Sequence, residues 1–114
     1  MNVDQQQLER LCASFRMRLP LSQIEPLSTP SVLGITKYPL RLAVEHHDDP
    51  EVVKLLISRD PGALISVVCG KGIISHFRNM SAENRFSNHA EIKDLLIDCR
   101  IAYRQHRFPR RHHL

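Results

Sequence analysis

Several residue types are scarce in this chain, and each scarcity excludes a class of protein. Its 114 residues include no tryptophan and only six other aromatic residues, so we expect a core of aliphatic side chains. No apolar run approaches the ~20 residues that a membrane-spanning helix needs. The first ten residues, MNVDQQQLER, contain no basic stretch followed by an apolar one, which argues against a secretory signal.

Cysteine is scarce as well. Its three positions, Cys12, Cys69 and Cys99, are odd in number and far apart in sequence. Cys12 and Cys99 both fall on apolar faces of predicted helices, where a thiol packs as a small hydrophobic group. This usage is typical of a reducing compartment rather than of a secreted disulfide scaffold. We therefore predict an intracellular protein, either cytoplasmic or nuclear.

Acidic residues are missing from the end of the chain, where positive charge collects. The net charge is +4, and residues 100–114 contain no acid. Five of the sixteen basic side chains lie there, which leaves eleven basic against twelve acidic side chains in residues 1–99. The five are Arg100, Arg104, Arg107, Arg110 and Arg111. The basic character therefore belongs to the C-terminal segment and not to the rest of the chain.

Apolar residues recur at helical spacing in several parts of the chain, most clearly in residues 38–64. Pro39 suits the first turn of a helix, because its missing N–H would have no helical partner there, and apolar residues follow at helical spacing. Asp-Pro-Glu at 49–51 predicts the start of a second helix, with a carboxylate cap and an acid in the first turn. Asp-Pro-Gly at 60–62 predicts its end, with Gly62 in a left-handed conformation.

This stretch resembles an ankyrin repeat. The family motif Thr-Pro-Leu-His-x-Ala opens the first helix of each repeat, and residues 38–43 read Tyr-Pro-Leu-Arg-Leu-Ala. Pro39, Leu40 and Ala43 match the motif, whereas Tyr38 and Arg41 replace the threonine and the histidine. The resemblance implies a stack of antiparallel helix pairs that binds another protein and catalyses no reaction.

A weaker copy of the same pattern follows. Gly-Lys-Gly-Ile-Ile at residues 70–74 stands where a second repeat would begin, and residues 91–96 mirror residues 51–56. The offset between the copies is 34 residues in the first helix and 40 in the second, which predicts an insertion of six near residues 80–87. A helical hairpin of unrelated ancestry is the alternative interpretation.

Helices and connections are also expected on either side of these repeats. Asp4 and Gln7 form a capping-box pair at the start of an amphipathic helix that runs from about Gln5 to Leu19. Residues 20–37 are rich in proline and serine but too apolar for a free linker, so we expect them to lie on the core.

The later connections leave one question of fold class open. Residues 64–68 have strand-like composition, so they form either a connection between repeats or a short strand, which would give an α+β fold. Asn88 and Glu91 form a second capping-box pair. They predict a last helix that ends near Gln105.

Motifs for chemistry are weak. His-His-Asp-Asp at 46–49 offers four metal ligands, but adjacent residues do not converge as structural zinc requires, so we interpret it as a polar connection that ends in a helix cap. Gly-Lys-Gly at 70–72 lacks the spacing of a phosphate-binding loop. No cysteine or serine lies in a context that pairs it with a histidine and an acid. We therefore predict no catalytic residue, no cofactor and no metal.

The C-terminal arginines are the strongest charge feature. Arg100, Arg104, Arg107 and Arg111 are spaced to share one side of a continued helix, and arginine clusters bind phosphates. Two nearby aromatic residues could stack on bases. Other interpretations are contact with an anionic membrane, a nuclear localisation signal, or a solvated helix end whose charge complements the helix dipole.

The predicted fold is a short all-α, ankyrin-like stack with an N-terminal amphipathic helix. Residues 1–105 form one domain and residues 106–114 a basic tail. A stack of so few repeats leaves apolar surface exposed at its ends, and a protein partner or a second copy of the chain would bury that surface.

The resemblance implies a non-enzymatic protein-binding module, because ankyrin repeats bind through their turns and the exposed side of each first helix. The residues predicted to contact the partner are Tyr38, Arg41, Leu42, Glu45, His46, Ser75 and His76. The alternative function is nucleic-acid binding through Arg100, Arg104, Arg107, Arg110 and Arg111.

Overall fold

The computed structural model describes residues 3–68, 70–78 and 88–105, and in these ranges the fold is all-helical. The α-helices are α1 (Val3–Arg16), α2 (Leu21–Ile24), α3 (Pro30–Leu33), α4 (Tyr38–His46), α5 (Pro50–Arg59), α6 (Ile73–Arg78) and α7 (His89–Arg104). Two 3₁₀ turns lie at Glu25–Leu27 and Pro61–Leu64. The all-α prediction is confirmed for the described part of the chain.

The first helix packs on α3 and α4 through an apolar face. Leu8, Leu11 and Phe15 are buried there, and they belong to the apolar spacing found in the sequence. The helix ends at Arg16, three residues before the predicted end. Arg18 has a φ of 53°, a left-handed conformation that a helix cannot continue through.

The predicted capping box at the start of α1 is wrong. The helix begins at Val3, which places Asp4 inside its first turn. The carboxamide nitrogen of Gln7 donates to the carbonyl oxygens of Pro26 and Leu27, each at 3.2 Å. Gln7 therefore ties α1 to the segment that follows it instead of closing its own helix start.

Residues 20–37 lie on the core, as the sequence predicts. Ile24 and Val32 are fully buried. The hydroxyl oxygen of Thr29 accepts a hydrogen bond from the backbone N–H of Val32 at 3.4 Å and caps α3. Arg59, at the end of α5, donates to the carbonyl oxygens of Glu25 and Ser28 and so attaches the segment to the later helices.

Helices α4 and α5 contact each other and form the first helix pair. Asp49 caps α5, since its carboxylate oxygen accepts a hydrogen bond from the N–H of Glu51 at 2.9 Å. The left-handed conformation predicted for Gly62 is wrong, because the chain continues through the 3₁₀ turn Pro61–Leu64. Gly70 has a positive φ instead, at 78°.

Helices α6 and α7 form the second helix pair. They contact each other, α6 also packs against α4, and α7 packs against α5. The capping box predicted at Asn88 and Glu91 is wrong, because the Asn88 side chain makes no cap hydrogen bond. Its amide nitrogen donates instead to the carbonyl oxygen of Asp48, at 2.8 Å. The predicted insertion near residues 80–87 lies outside the described residues.

The buried side chains form one continuous cluster, from Leu8 in α1 to Leu96 in α7. The strand considered for residues 64–68 is reduced to an isolated antiparallel bridge between Val68 and Lys71, so the α+β alternative is not supported in the described part. Cys69 and the predicted tail, residues 106–114, lie outside that part. Within it, no helix combines the length and the apolarity needed to cross a bilayer.

Candidate functional site

A cavity of about 390 Å³ lies where the two helix pairs meet. We call it the junction cavity. Four of its lining residues come from α4, two from the turn that joins the helix pairs, and one from α6. They are Tyr38, Arg41, Leu42, Glu45, Val68, Lys71 and His76. The cavity thus combines apolar, cationic and anionic side chains in one small volume.

Arg41 is buried beneath this cavity, with only 4% of its surface exposed. One terminal guanidinium nitrogen donates to the carbonyl oxygens of Ser66 and Lys71, at 3.1 and 2.7 Å. This burial corrects the prediction that Arg41 lies on an exposed binding face. Its guanidinium supports the turn that forms one cavity wall, because the fixed donor geometry of arginine suits two carbonyl oxygens at once.

Glu45 lies between two histidines. One of its carboxylate oxygens is 2.7 Å from Nε2 of His76, and the other is 3.7 Å from Nε2 of His46. The Glu45–His76 contact joins α4 to α6, so it links the two helix pairs directly beside the cavity. All three side chains are partly exposed, so water and an incoming ligand can reach them.

The structure brings most of the predicted binding residues together. Tyr38, Leu42, Glu45 and His76 line the junction cavity with Arg41. The other two do not line it. His46 contacts it indirectly through Glu45, and Ser75 is exposed on α6. Their role in binding stays a prediction.

Two cavity residues were absent from the sequence prediction. Val68 and Lys71 face each other across the isolated bridge, with N–H···O distances of 3.0 and 3.1 Å. Gly70 makes this tight turn possible by adopting its positive φ. The strand-like run and the Gly-Lys-Gly sequence marked the turn, but no local pattern shows that it folds against α4.

Two residues of the His-His-Asp-Asp run, His47 and Asp49, make structural hydrogen bonds. Nε2 of His47 lies 2.8 Å from the carbonyl oxygen of Leu19, and Nδ1 accepts from the N–H of Asp49 at 3.2 Å. Both ring nitrogens of this buried histidine are therefore engaged with backbone atoms. Among the described residues no group of three or more candidate metal ligands converges.

A second apolar groove of about 400 Å³ lies beside α1 and the segment that follows it. Met17, with 67% of its surface exposed, lies beside Leu19 and Leu27 there. Arg10 is the charged residue that lines it. Its other polar lining residues are Ser14, whose hydroxyl already donates to the carbonyl oxygen of Leu11 at 2.6 Å, and Gln23.

The predicted nucleic-acid site is only partly within the described residues. Arg100 and Arg104 lie one turn apart on α7, and Arg104 is exposed. Arg107, Arg110 and Arg111 lie outside the described residues, so the predicted alignment of the cluster stays a prediction.

The two described cysteines are free and half-buried. Burial raises the pKa of the Cys12 thiol above its ordinary value of 9.0, and the nearby Arg16 guanidinium opposes that rise. Burial also raises the pKa of Cys99, where the Asp98 carboxylate adds to the effect and the Lys54 ammonium opposes it. Thiols with raised pKa values are poor nucleophiles at neutral pH, which favours packing roles for both residues.

No protein-family model, curated protein or solved structure matches this chain. The ankyrin resemblance therefore stays a prediction, and the geometry of the junction cavity is the main indication of function.

Proposed function

We propose that this chain is a non-enzymatic module that binds another protein through the junction cavity. The observation that supports it best is the composition of the cavity wall. Tyr38 is 48% exposed and stands beside Leu42 and Val68, with charged groups close by. Partly exposed aromatic and aliphatic side chains around a few fixed polar groups are typical of binding surfaces.

The proposed module is a short, ankyrin-like stack of two helix pairs. Two contacts support this interpretation, namely those of α4 with α6 and of α5 with α7. First helix lies beside first helix and second beside second, as repeated units would require. The turn that carries Val68 and Lys71 connects the two units, in the position where a repeat stack would present a binding edge.

In this proposal the Glu45–His76 contact has a structural role rather than a catalytic one. The carboxylate of Glu45 and the ring of His76 come from different helix pairs and hold them together at 2.7 Å. Among the described residues that line the cavity there is no cysteine, and the one hydroxyl group is the phenol of Tyr38. These described lining residues therefore include no serine or cysteine nucleophile that the histidine could activate.

The test compares partner capture by two matched surface variants. The full chain, Tyr38→Ala and Met17→Ala are each used to capture proteins from the native cell. Both substitutions remove a large exposed side chain, but only Tyr38 lines the junction cavity. We expect one partner to be retained by the full chain and by Met17→Ala and lost from Tyr38→Ala. Unchanged capture by Tyr38→Ala would contradict the proposed surface.

Nucleic-acid binding is the second candidate, because α7 ends with two arginines one turn apart and the residues beyond it carry three more. A gel-shift titration with random duplex and single-stranded oligonucleotides at rising salt tests it. We expect Arg100→Gln/Arg104→Gln to weaken binding more than Lys93→Gln does. No shift at low salt, or equal loss in both variants, would eliminate this candidate.

A further inference from the structure

The apolar part of the junction cavity suits one large side chain. Tyr38, Leu42 and Val68 come from two separate elements and enclose much of a volume of about 390 Å³. A water molecule occupies about 30 Å³ in the liquid, so the cavity has room for many times that volume. A leucine or phenylalanine side chain and some adjoining backbone therefore fit in it. Covering this surface would remove apolar area from water, which is the main favourable term in association.

The charges around the cavity are unequal in what they can offer a ligand. Glu45 is the one carboxylate among the described lining residues, and that group already faces the rings of His76 and His46. Lys71 is exposed, and no carboxylate of the described residues lies within 4.0 Å of its ammonium group. An incoming carboxylate therefore finds an available cation, whereas an incoming ammonium group must compete with two imidazoles.

The position of Lys71 is set before any ligand arrives. Its carbonyl oxygen accepts the 2.7 Å hydrogen bond from the buried Arg41, and its backbone is bridged to Val68. A preformed wall lowers the entropy lost on binding, because little backbone has to be ordered. The backbone of Lys71 thus stands at a fixed place relative to the apolar wall, and its exposed side chain carries the cation.

We propose that the junction cavity recognises a short segment of another protein in which a large apolar side chain stands next to a carboxylate. The apolar group packs between Tyr38, Leu42 and Val68, and the carboxylate pairs with the Lys71 ammonium. This inference rests on the proposed function, since it specifies which partner segments that surface selects.

A random seven-residue peptide library displayed on phage, selected on the full chain, tests the inference. The selected peptides should be enriched in aspartate or glutamate next to leucine, isoleucine, methionine or phenylalanine. One synthetic selected peptide is then measured against its Asp→Asn or Glu→Gln analogue. We expect the acid to bind about tenfold more tightly at low salt and the difference to shrink as salt rises.

Reversing the charge of a single lysine of the protein tests where the acidic residue of the peptide binds. Lys71→Glu should weaken binding of the acidic peptide about tenfold and binding of the amide analogue less than twofold. Lys93→Glu on α7 should leave the affinity for both peptides unchanged within twofold. Equal losses for the two peptides, or equal effects of the two lysine variants, would overturn the pairing with Lys71. Circular dichroism on both variants confirms that neither loses its helices.

The outcomes separate this inference from the proposed function. Selected peptides that lack acidic residues yet still lose binding in Tyr38→Ala would overturn the inference and leave the protein-binding role intact. Failure to select any common motif would also overturn the inference. If sedimentation instead shows a dimer of the full chain that Tyr38→Ala dissociates, the occupant is a second copy and the inference is wrong.

Discussion

The two helix pairs begin their second helices with similar sequences and hold them in different ways. Asp49 caps α5 locally, through the N–H of Glu51. Asn88 precedes α7 in the same pattern, yet its amide donates to the carbonyl oxygen of Asp48 in the first helix pair. The second helix of the first pair is therefore capped locally at its start, whereas that of the second pair is fixed by a contact with the first pair.

The polar contacts between the pairs follow one face of the first helix pair. Arg41 and Glu45 lie four residues apart on α4, a spacing that places both side chains on one side of the helix. They contact the turn before the second pair and α6, and the backbone carbonyl oxygen of Asp48, beyond the end of α4, accepts from Asn88. Helix α4 therefore positions the second pair, whereas the start of α5 is fixed by its own sequence.

The largest losses of stability are expected from substitutions that leave a cavity in the core shared by the two helix pairs. Leu56→Ala on α5 and Leu96→Ala on α7 each remove a fully buried side chain, and each should lower the free energy of unfolding by about 2–5 kcal/mol. Because the core is continuous, urea denaturation followed by circular dichroism should still show a single transition in both. Two separated transitions in Leu96→Ala would show that the helix pairs unfold independently.

Removing the guanidinium of Arg41 should have the next largest effect. Arg41→Met keeps most of the side-chain volume but leaves the carbonyl oxygens of Ser66 and Lys71 without this donor. We expect a loss of about 2–3 kcal/mol, since hydrogen bonds from a charged donor are strong and the site is buried. Hydrogen exchange should speed up in α6 and α7 more than in α5. Arg59→Met, at a more exposed site, is the control and should cost less.

Exchanging the two helix-start residues distinguishes local capping from tertiary bonding. Asp49→Asn should change stability by less than about 0.5 kcal/mol, because asparagine and aspartate cap equally well. Asn88→Asp should lower it by about 1 kcal/mol, because the carboxylate cannot donate to the carbonyl oxygen of Asp48. Chemical denaturation of both variants measures the difference. A stabilising Asn88→Asp would mean that residue 88 acts as a local cap.

The smallest effects concern the two half-buried thiols, Cys12 and Cys99. The folded state holds each thiol proton more tightly than the unfolded chain does, because burial raises both pKa values. As the pH rises through 9.0, the unfolded chain ionises first, so the free energy of unfolding should fall above that pH. Urea denaturation at pH 7.5 and at pH 9.5 (~2 units apart) compares the two conditions.

One substitution separates the two thiols. Lys54→Gln removes the ammonium that opposes the raised pKa of Cys99. Alkylation of Cys99 should then slow by about twofold, since an exposed charge acts weakly through water, and alkylation of Cys12 should not change. Peptide mass spectrometry after timed iodoacetamide treatment reads the two sites separately. An equal change at both would point to a general loosening of the fold.

Local sequence signals predicted the first helix pair well. The proline at position 39, the carboxylate of Asp49 and the spacing of the apolar residues each act within a turn or two of helix, so a pattern in sequence shows them. The same logic failed for Gln7 and Asn88, whose side chains bond to carbonyl oxygens far away in the chain. Capping patterns describe what a side chain can do, and tertiary contacts decide whether it does so.

Only part of the candidate site could be predicted from the sequence, for a similar reason. The ankyrin resemblance placed Tyr38, Leu42 and Glu45 together on the first helix, and all three line the junction cavity. A charged residue is usually exposed, so the burial of Arg41 could not be read from its neighbours, and the carbonyl oxygens it binds lie 25 and 30 residues later. The turn with Val68 and Lys71 became part of the cavity through that same bond.

Site-specific photo-crosslinking tests the protein-binding role of the junction cavity most directly. A benzoylphenylalanine is placed at position 38 or, as the control, at position 17 of the full chain in its native cell. The proposal predicts a discrete adduct with one protein at position 38, formed on a peptide with an apolar residue beside an acid, and none with that protein at position 17. The same adduct from both positions, or none from position 38, would contradict it.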